Sequence, residues 1–236
     1  MSKFYVKTLN KTGYALSEVL DEISTKFIEF SRNVQLPILE IGAAFGVVSL
    51  ECVKVGATTI ANDLDENHLK VIHEKCPRIG RKKLILMPGD FEELQILEGS
   101  LSGILCCRVI HFFDPDKLMR SIRKTYSLLE NGGKAFFTVE SPYLKNWNHL
   151  PEVFKSRKKI GEKFPGFVRT RDFINEGDIA DNLPEYMHFF DDEILANIFK
   201  VCGFEIEECY LFARPYFFEE VKLDGRESVG IIAVKK

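Results

Sequence analysis

Three carboxylates, Glu40, Asp63 and Asp90, stand at or near the ends of three short apolar runs, each followed by residues that break it. Ile38-Leu39-Glu40-Ile41 meets Gly42-Ala43-Ala44-Phe45-Gly46, Thr58–Asn62 meets Asp63-Leu64-Asp65, and Leu84–Met87 meets Pro88-Gly89-Asp90-Phe91. Runs punctuated in this way read as buried parallel strands. Gly42 and Gly46 allow a tight turn, and the helix that follows aims its free N–H groups back at the strand end. Open α/β sheets bind ligands at that rim. Any one of these acids could serve a turn, and Asp65 is better placed than Asp63 to cap the next helix. Three at successive strand tips point instead to one polar ligand.

Glycine spacing narrows the ligand. A dinucleotide fingerprint counted from Gly42 needs glycine at 44 and 47, where this chain has Ala44 and Val47, and its last glycine falls at Gly46. Glu40-Ile41-Gly42-Ala43-Ala44-Phe45-Gly46 resembles the first motif of class I (Rossmann-like) S-adenosylmethionine-dependent methyltransferases, acid-x-Gly-x-Gly-x-Gly with alanine at the middle glycine. The resemblance runs through residues 36–141, including Gly89-Asp90-Phe91, His111, Asp114-Pro115 and Leu129-Glu130-Asn131-Gly132-Gly133. It implies an α/β fold: a doubly wound, seven-stranded, mostly parallel sheet with the last strand antiparallel, helices on both faces and an insertion after strand five. It implies S-adenosyl-L-methionine as cofactor, with Glu40, Gly42, Ala43 and Gly46 on the methionine portion. Asp63 would take the ribose hydroxyls, Asp90 the adenine amine, and Phe91 or Leu64 the purine face. Arg108 would enter the cofactor pocket through its backbone carbonyl or orient an anionic substrate through its side chain.

Methyl transfer from a sulfonium needs a nucleophile held in line, and a proton acceptor only where that nucleophile ionises. His111, in the loop after the fourth strand, has the side chain for that work. In the family such a histidine also contacts or underlies the cofactor, and the sequence leaves both roles open. Tyr143 and Trp147 are the substrate-side candidates. An Asn-Pro-Pro-Tyr motif after strand four and a Pro-Cys nucleophile are both missing. The expected reaction is methyl transfer to oxygen or nitrogen of a small molecule. The alternatives are an RNA or protein acceptor, and a catalytically silent cofactor-binding or scaffold domain. Lys155, Arg157, Lys158, Lys159, Lys163, Arg169 and Arg171, interleaved with Phe154, Phe164, Phe167 and Phe173, would suit a nucleic-acid strand. A solvated helix face over a water-excluding aromatic lid explains them more simply.

The elements that position these residues follow from periodicity. The 236 residues suit a single methyltransferase domain, 1–236, with a helical cover over 1–35 and a substrate-lid insertion over 142–190. Leu16, Val19, Leu20, Ile23, Phe27 and Phe30 predict a helix over 14–31. Helices follow Gly46, Asp65, Asp114 and Asp191, the third of them ending at Asn131-Gly132-Gly133, and an extended run at 204–212, a turn at Asp224-Gly225 and a strand at 229–234 close the chain. A net charge of −3 supplies no global field for nucleic acid or anionic lipid. No run is long enough to span a bilayer, and the first residues lack a signal-peptide apolar segment. The six cysteines form no Cys-x-x-Cys pair, so buried thiols, no metal and a cytoplasmic setting are expected.

Overall fold

The computed structural model describes residues 5–9, 14–16, 20–174, 183–217 and 219–236. Its centre is a seven-stranded sheet built around β3 (Ile38–Ile41), all four residues of which are buried. With β1 (Tyr5–Lys7) and β2 (Tyr14–Leu16) preceding it, the sheet continues with β4 (Thr59–Asp63), β5 (Leu84–Pro88), β6 (Leu101–Cys107), β7 (Leu129–Glu140), β10 (Glu205–Phe212) and β11 (Ser228–Val234). Its order is β10-β11-β7-β6-β3-β4-β5, and β11 runs antiparallel to both its neighbours while β7, β6, β3, β4 and β5 pair in parallel. Strand number, the mostly parallel pairing and the antiparallel last strand agree with the sequence expectation.

Side-chain alternation sorts the helices onto the two faces. Ile38, Leu105, Phe136 and Ile232 pack with α1 (Glu22–Ser31) and α2 (Val47–Lys54). Leu39, Ile104, Phe137 and Ile231 pack with α4 (Pro115–Leu128) and α6 (Asp192–Val201). Leu69 and Ile72 of α3 (Glu66–Lys75) meet Ala43 and Ala61. The starts of these helices are local: Asp21, Asp65, Asp114 and Asp191 each accept a backbone N–H of the first turn, and Pro115 opens α4.

Three boundaries differ from expectation. Helix α1 begins at Glu22, capped by Asp21, and Tyr14–Leu16 pair instead with Tyr5–Lys7 as a hairpin; Val19 lies outside the described residues. The apolar spacing continued upstream of a strong N-cap, and the cap decided the boundary. Helix α4 stops at Leu128, so Leu129 to Gly133 belong to β7 and not to the helix end. Between β10 and β11 there is no tight hairpin: residues 213–227 make a longer connection, with Asp224-Gly225 turned about Glu227.

The insertion after β7 has its own small core. Its α5 (Leu150–Lys159) and the antiparallel pair β8 (Phe167–Arg169) and β9 (Tyr186–His188) enclose Leu144, Trp147, Leu150, Val168, Met187 and Phe189. Phe154 is fully buried and the Phe167 ring stacks on Tyr186. Two of the basic residues are engaged, Arg157 with the carbonyls of Pro165 and Phe167, and Lys158 with Asp191 and Glu193.

Phe27 anchors α1, with no exposed surface and its ring set edge-on to Phe136 at 5.2 Å. Phe27→Ala is expected to lower unfolding free energy by about 3–5 kcal/mol, measured by urea denaturation.

Candidate active site

The carboxyl ends of the parallel strands open into a cleft of about 290 Å³. Glu40, Gly42, Ala43, Asp63, Leu64, Asp90, Phe91, Arg108 and His111 line it, as does Trp147 from the insertion. Two expected residues stand back from it. Gly46 lies under the first turn with φ of 73°, where a Cβ would come 2.7 Å from Ile72 Cγ1. Tyr143 is buried with Arg226 3.8 Å above its ring, so it braces the insertion and does not line the cleft.

Local sequence explains the carboxylates' positions. Gly42 adopts φ of 70°, with Val109 packed where a side chain would begin, so the chain turns sharply after β3. The turn delivers the Ala44 N–H to Asp63 Oδ2 at 2.8 Å. Asp63 Oδ1 accepts the Asp65 N–H at 2.9 Å and faces His68 Nδ1 at 3.0 Å. The Leu9 N–H donates to His68 Nε2 at 3.0 Å. That makes Nε2 the acceptor and puts the ring proton on Nδ1, directed at Asp63. Leu9, two residues past β1, is thus tied to the acid at the tip of β4. His68 was not singled out in the sequence; its signal is its place in the first turn of the helix that follows Asp63.

Asp90 caps the turn after β5 by accepting the Glu92 N–H at 3.0 Å, and Lys117 of α4 pairs with its other oxygen. Lys117 holds the Asp90 carboxyl below its usual range although burial opposes this. Phe91 is buried beside it, while Leu64 on the rim is 67% exposed. Arg108 takes φ of 55°, donates its N–H to the Thr138 carbonyl and reaches Asp21 with its guanidinium at 3.1 Å. The side chain is thereby held by the N-cap of α1.

At the far end of the cleft lies a buried ion pair that no sequence spacing signals. Arg214 Nη1 lies 2.6 Å from both carboxylate oxygens of Glu140, and both residues line the cleft. His111 sits near them, buried, with Nδ1 lacking a hydrogen-bond partner. Burial pushes its pKa down to about 4, so the imidazole is neutral at physiological pH. It can accept a hydrogen bond but is a weak base.

A methyltransferase-domain family profile matches residues 38–133. No curated protein sequence matches the chain significantly. Among solved structures, a SAM-dependent methyltransferase from Methanosarcina mazei is similar at 18% identity and TM-score 0.66, covering 92% of this chain and 98% of its own. Magnesium protoporphyrin IX methyltransferase from Synechocystis, with bound SAH, is similar at 16% identity and TM-score 0.60, covering 92% of this chain and 81% of its own. The 1,6-didemethyltoxoflavin-N1-methyltransferase of Burkholderia thailandensis, with bound 1,6-didemethyltoxoflavin and S-adenosylhomocysteine, is similar at 14% identity and TM-score 0.62, covering 91% of this chain and 77% of its own.

The donor set fits a cofactor that carries an ammonium, a sulfonium and an adenosine. Asp63 and Asp90 keep unused lone pairs at the rim, and Glu40 brings a third carboxyl to the same cleft. Glu40 is buried, its Oε2 accepting the Ser49 N–H at 2.8 Å and the Ser49 hydroxyl. Burial raises its pKa to about 7 despite those bonds. A carboxyl with a folded pKa above its unfolded value contributes stability below the unfolded pKa and loses it as pH rises through the folded one. Between pH 4.5 and 8 the protein is therefore expected to lose about 3 kcal/mol of stability through this group. Glu40→Gln should flatten that decline in pH-dependent urea melts. The chain thus matches a methyltransferase-domain profile over residues 38–133 and shares its fold with solved SAM-dependent methyltransferases.

Proposed function

We propose that the protein transfers a methyl group to an oxygen or nitrogen of a small molecule. One observation carries this reading: a single cleft is lined at one end by strand-tip carboxylates and at the other by apolar side chains of the insertion, with His111 also on its wall. When bound, S-adenosyl-L-methionine supplies a methyl already activated on sulfur. In this reading Glu40, Gly42 and Ala43 hold the methionine portion while Gly46 shapes the turn beneath it. Asp63 accepts from the ribose hydroxyls, its orientation fixed by the Ala44 N–H and by His68. Asp90, Phe91 and Leu64 take the adenine. His111 accepts a hydrogen bond from the acceptor's nucleophilic group and orients it, and Trp147 with its apolar neighbours excludes water from the transfer. The buried aromatics and engaged cations of the insertion support a small acceptor over an RNA strand. A protein acceptor has no specific observation in its favour.

Calorimetry with S-adenosylhomocysteine should show one site per chain. Asp63→Ala is expected to weaken it by about 10–100-fold, the value of one or two charge-assisted hydrogen bonds. Cofactor binding without label transfer to any acceptor would favour the catalytically silent alternative. His111→Ala should lower kcat at constant cofactor affinity, and unchanged turnover would remove its orienting role.

A further inference from the structure

The lid end of the cleft restricts which acceptors fit. Its walls are apolar and largely aromatic: Phe112, Leu144, Trp147, Met187, Phe189 and Phe217. Trp147 and Phe189 are buried and meet edge-to-face at 4.6 Å. Among the described residues lining the cleft, the charged side chains at the strand tips already engage protein groups, Arg108 with Asp21, Lys117 with Asp90, Asp63 with His68 and backbone N–H groups, and Glu40 with Ser49.

At the lid end the described charges are Arg214 and Glu140. They are 6% and 8% exposed and share the contacts at 2.6 Å. The guanidinium also stacks on Phe217, its carbon 3.6 Å from the ring centroid. The pair is neutral as a unit. A carboxylate or phosphate on the acceptor would have to draw Arg214 from Glu140, leaving a buried carboxylate uncompensated; an ammonium would leave the guanidinium so. Breaking a buried pair from one side is strongly unfavourable.

Two neutral polar atoms on the wall lack partners. His111 Nδ1 and Asn146 Oδ1 are both buried without a hydrogen bond. Asn146 Oδ1 is an acceptor, and so is His111 Nδ1 in the tautomer that carries its proton on Nε2; a buried acceptor left unmet costs free energy until a donor reaches it. His111 is 96% buried by its 4% exposure, and it stands in the loop after β6, the strand flanked by those bearing Glu40 and Glu140. Aromatic walls select a flat ring system, the neutral ion pair rejects net charge, and the two open acceptors ask for O–H or N–H groups.

We propose that the methyl acceptor is an uncharged, flat ring compound that presents an O–H or N–H donor to His111 Nδ1 and a second donor to Asn146. This rests on the reading of the cleft as a methyl-transfer site. The nucleophile is the oxygen or nitrogen bonded to His111. Its lone pair forms the new bond to carbon, the sulfur–carbon bond breaks with its electron pair returning to sulfur, and the nucleophile's proton leaves to solvent past the imidazole, which is too weak a base to keep it.

Trp147 is the single tryptophan of the chain, so its fluorescence reports occupancy of this end without requiring turnover. The test titrates the full-length protein, loaded with S-adenosylhomocysteine, with neutral dihydroxyarenes and N–H heteroarenes. It compares the same rings bearing a carboxylate, a phosphate or an aminoalkyl arm, and follows label transfer from methyl-tritiated cofactor in parallel. Neutral compounds should quench Trp147 saturably and take label, with their charged counterparts at least about 30-fold weaker. Asn146→Leu should weaken ring compounds carrying two donors about tenfold and leave their mono-methyl ethers unchanged. Equal or tighter binding of the charged compounds would overturn the proposal, as would no saturable quenching while S-adenosylhomocysteine still binds. Failure of S-adenosylhomocysteine itself to bind would instead overturn the cofactor-site reading, and this inference with it.

Discussion

A strand covered on both faces has little but its ends to offer a ligand, and that constraint organises this molecule. β3 is buried along its whole length between α1 and α2 on one side and α4 and α6 on the other. Apolar alternation therefore fills both faces, and Asp63 and Asp90 find room at the carboxyl rim. Glu40 is the exception that shows the strength of the rule. One residue short of the strand's end, it turns under α2 to Ser49, and its carboxyl is pushed towards neutrality at physiological pH. The site then holds one group whose ionisation depends on what binds beside it, because an approaching ammonium favours the carboxylate.

The cofactor half was legible because its logic is local. Glycine at 42 and 46, the three acids and the Asp114-Pro115 helix start each act within a few residues of the strand they follow. Parallel strands of continuous apolar residues and the aspartate caps gave the order of elements the same way. Errors came where two local signals disagreed. Leu16 and Leu20 extended the apolar period of α1, but Asp21 accepts the Ser24 N–H and starts the helix there. The glycines at 132 and 133 suggested a helix end, whereas α4 stops at Leu128 and the chain is already in β7.

The lid end of the cleft was hidden because its contacts join residues far apart in the chain. Glu140 and Arg214 pair across 74 positions, and no spacing rule connects them. Leu9 reaches His68 across 59 positions to fix the proton on a ring that faces Asp63. Tyr143 was expected beside the substrate on residue type alone; the insertion's packing turned it onto Arg226. The insertion's aromatics were legible as a set, but which of them face the cleft and which fill the core of the insertion depended on the β8–β9 pairing.

Glu227 deserves a last word for what it permits. One of its carboxylate oxygens gathers the N–H groups of Leu223, Asp224 and Gly225, and the other faces the N–H of Arg214, all from the foot of β11. The loop bearing Arg214, Phe217 and Val221 is thereby pinned at both ends by a single side chain rooted in the sheet. Within it Phe217 and Val221 pack into the core of the insertion, while Tyr216, Glu219 and Glu220 are exposed. Change at the loop's exposed positions can therefore be accommodated without disturbing the strand-tip carboxylates at the other end of the cleft.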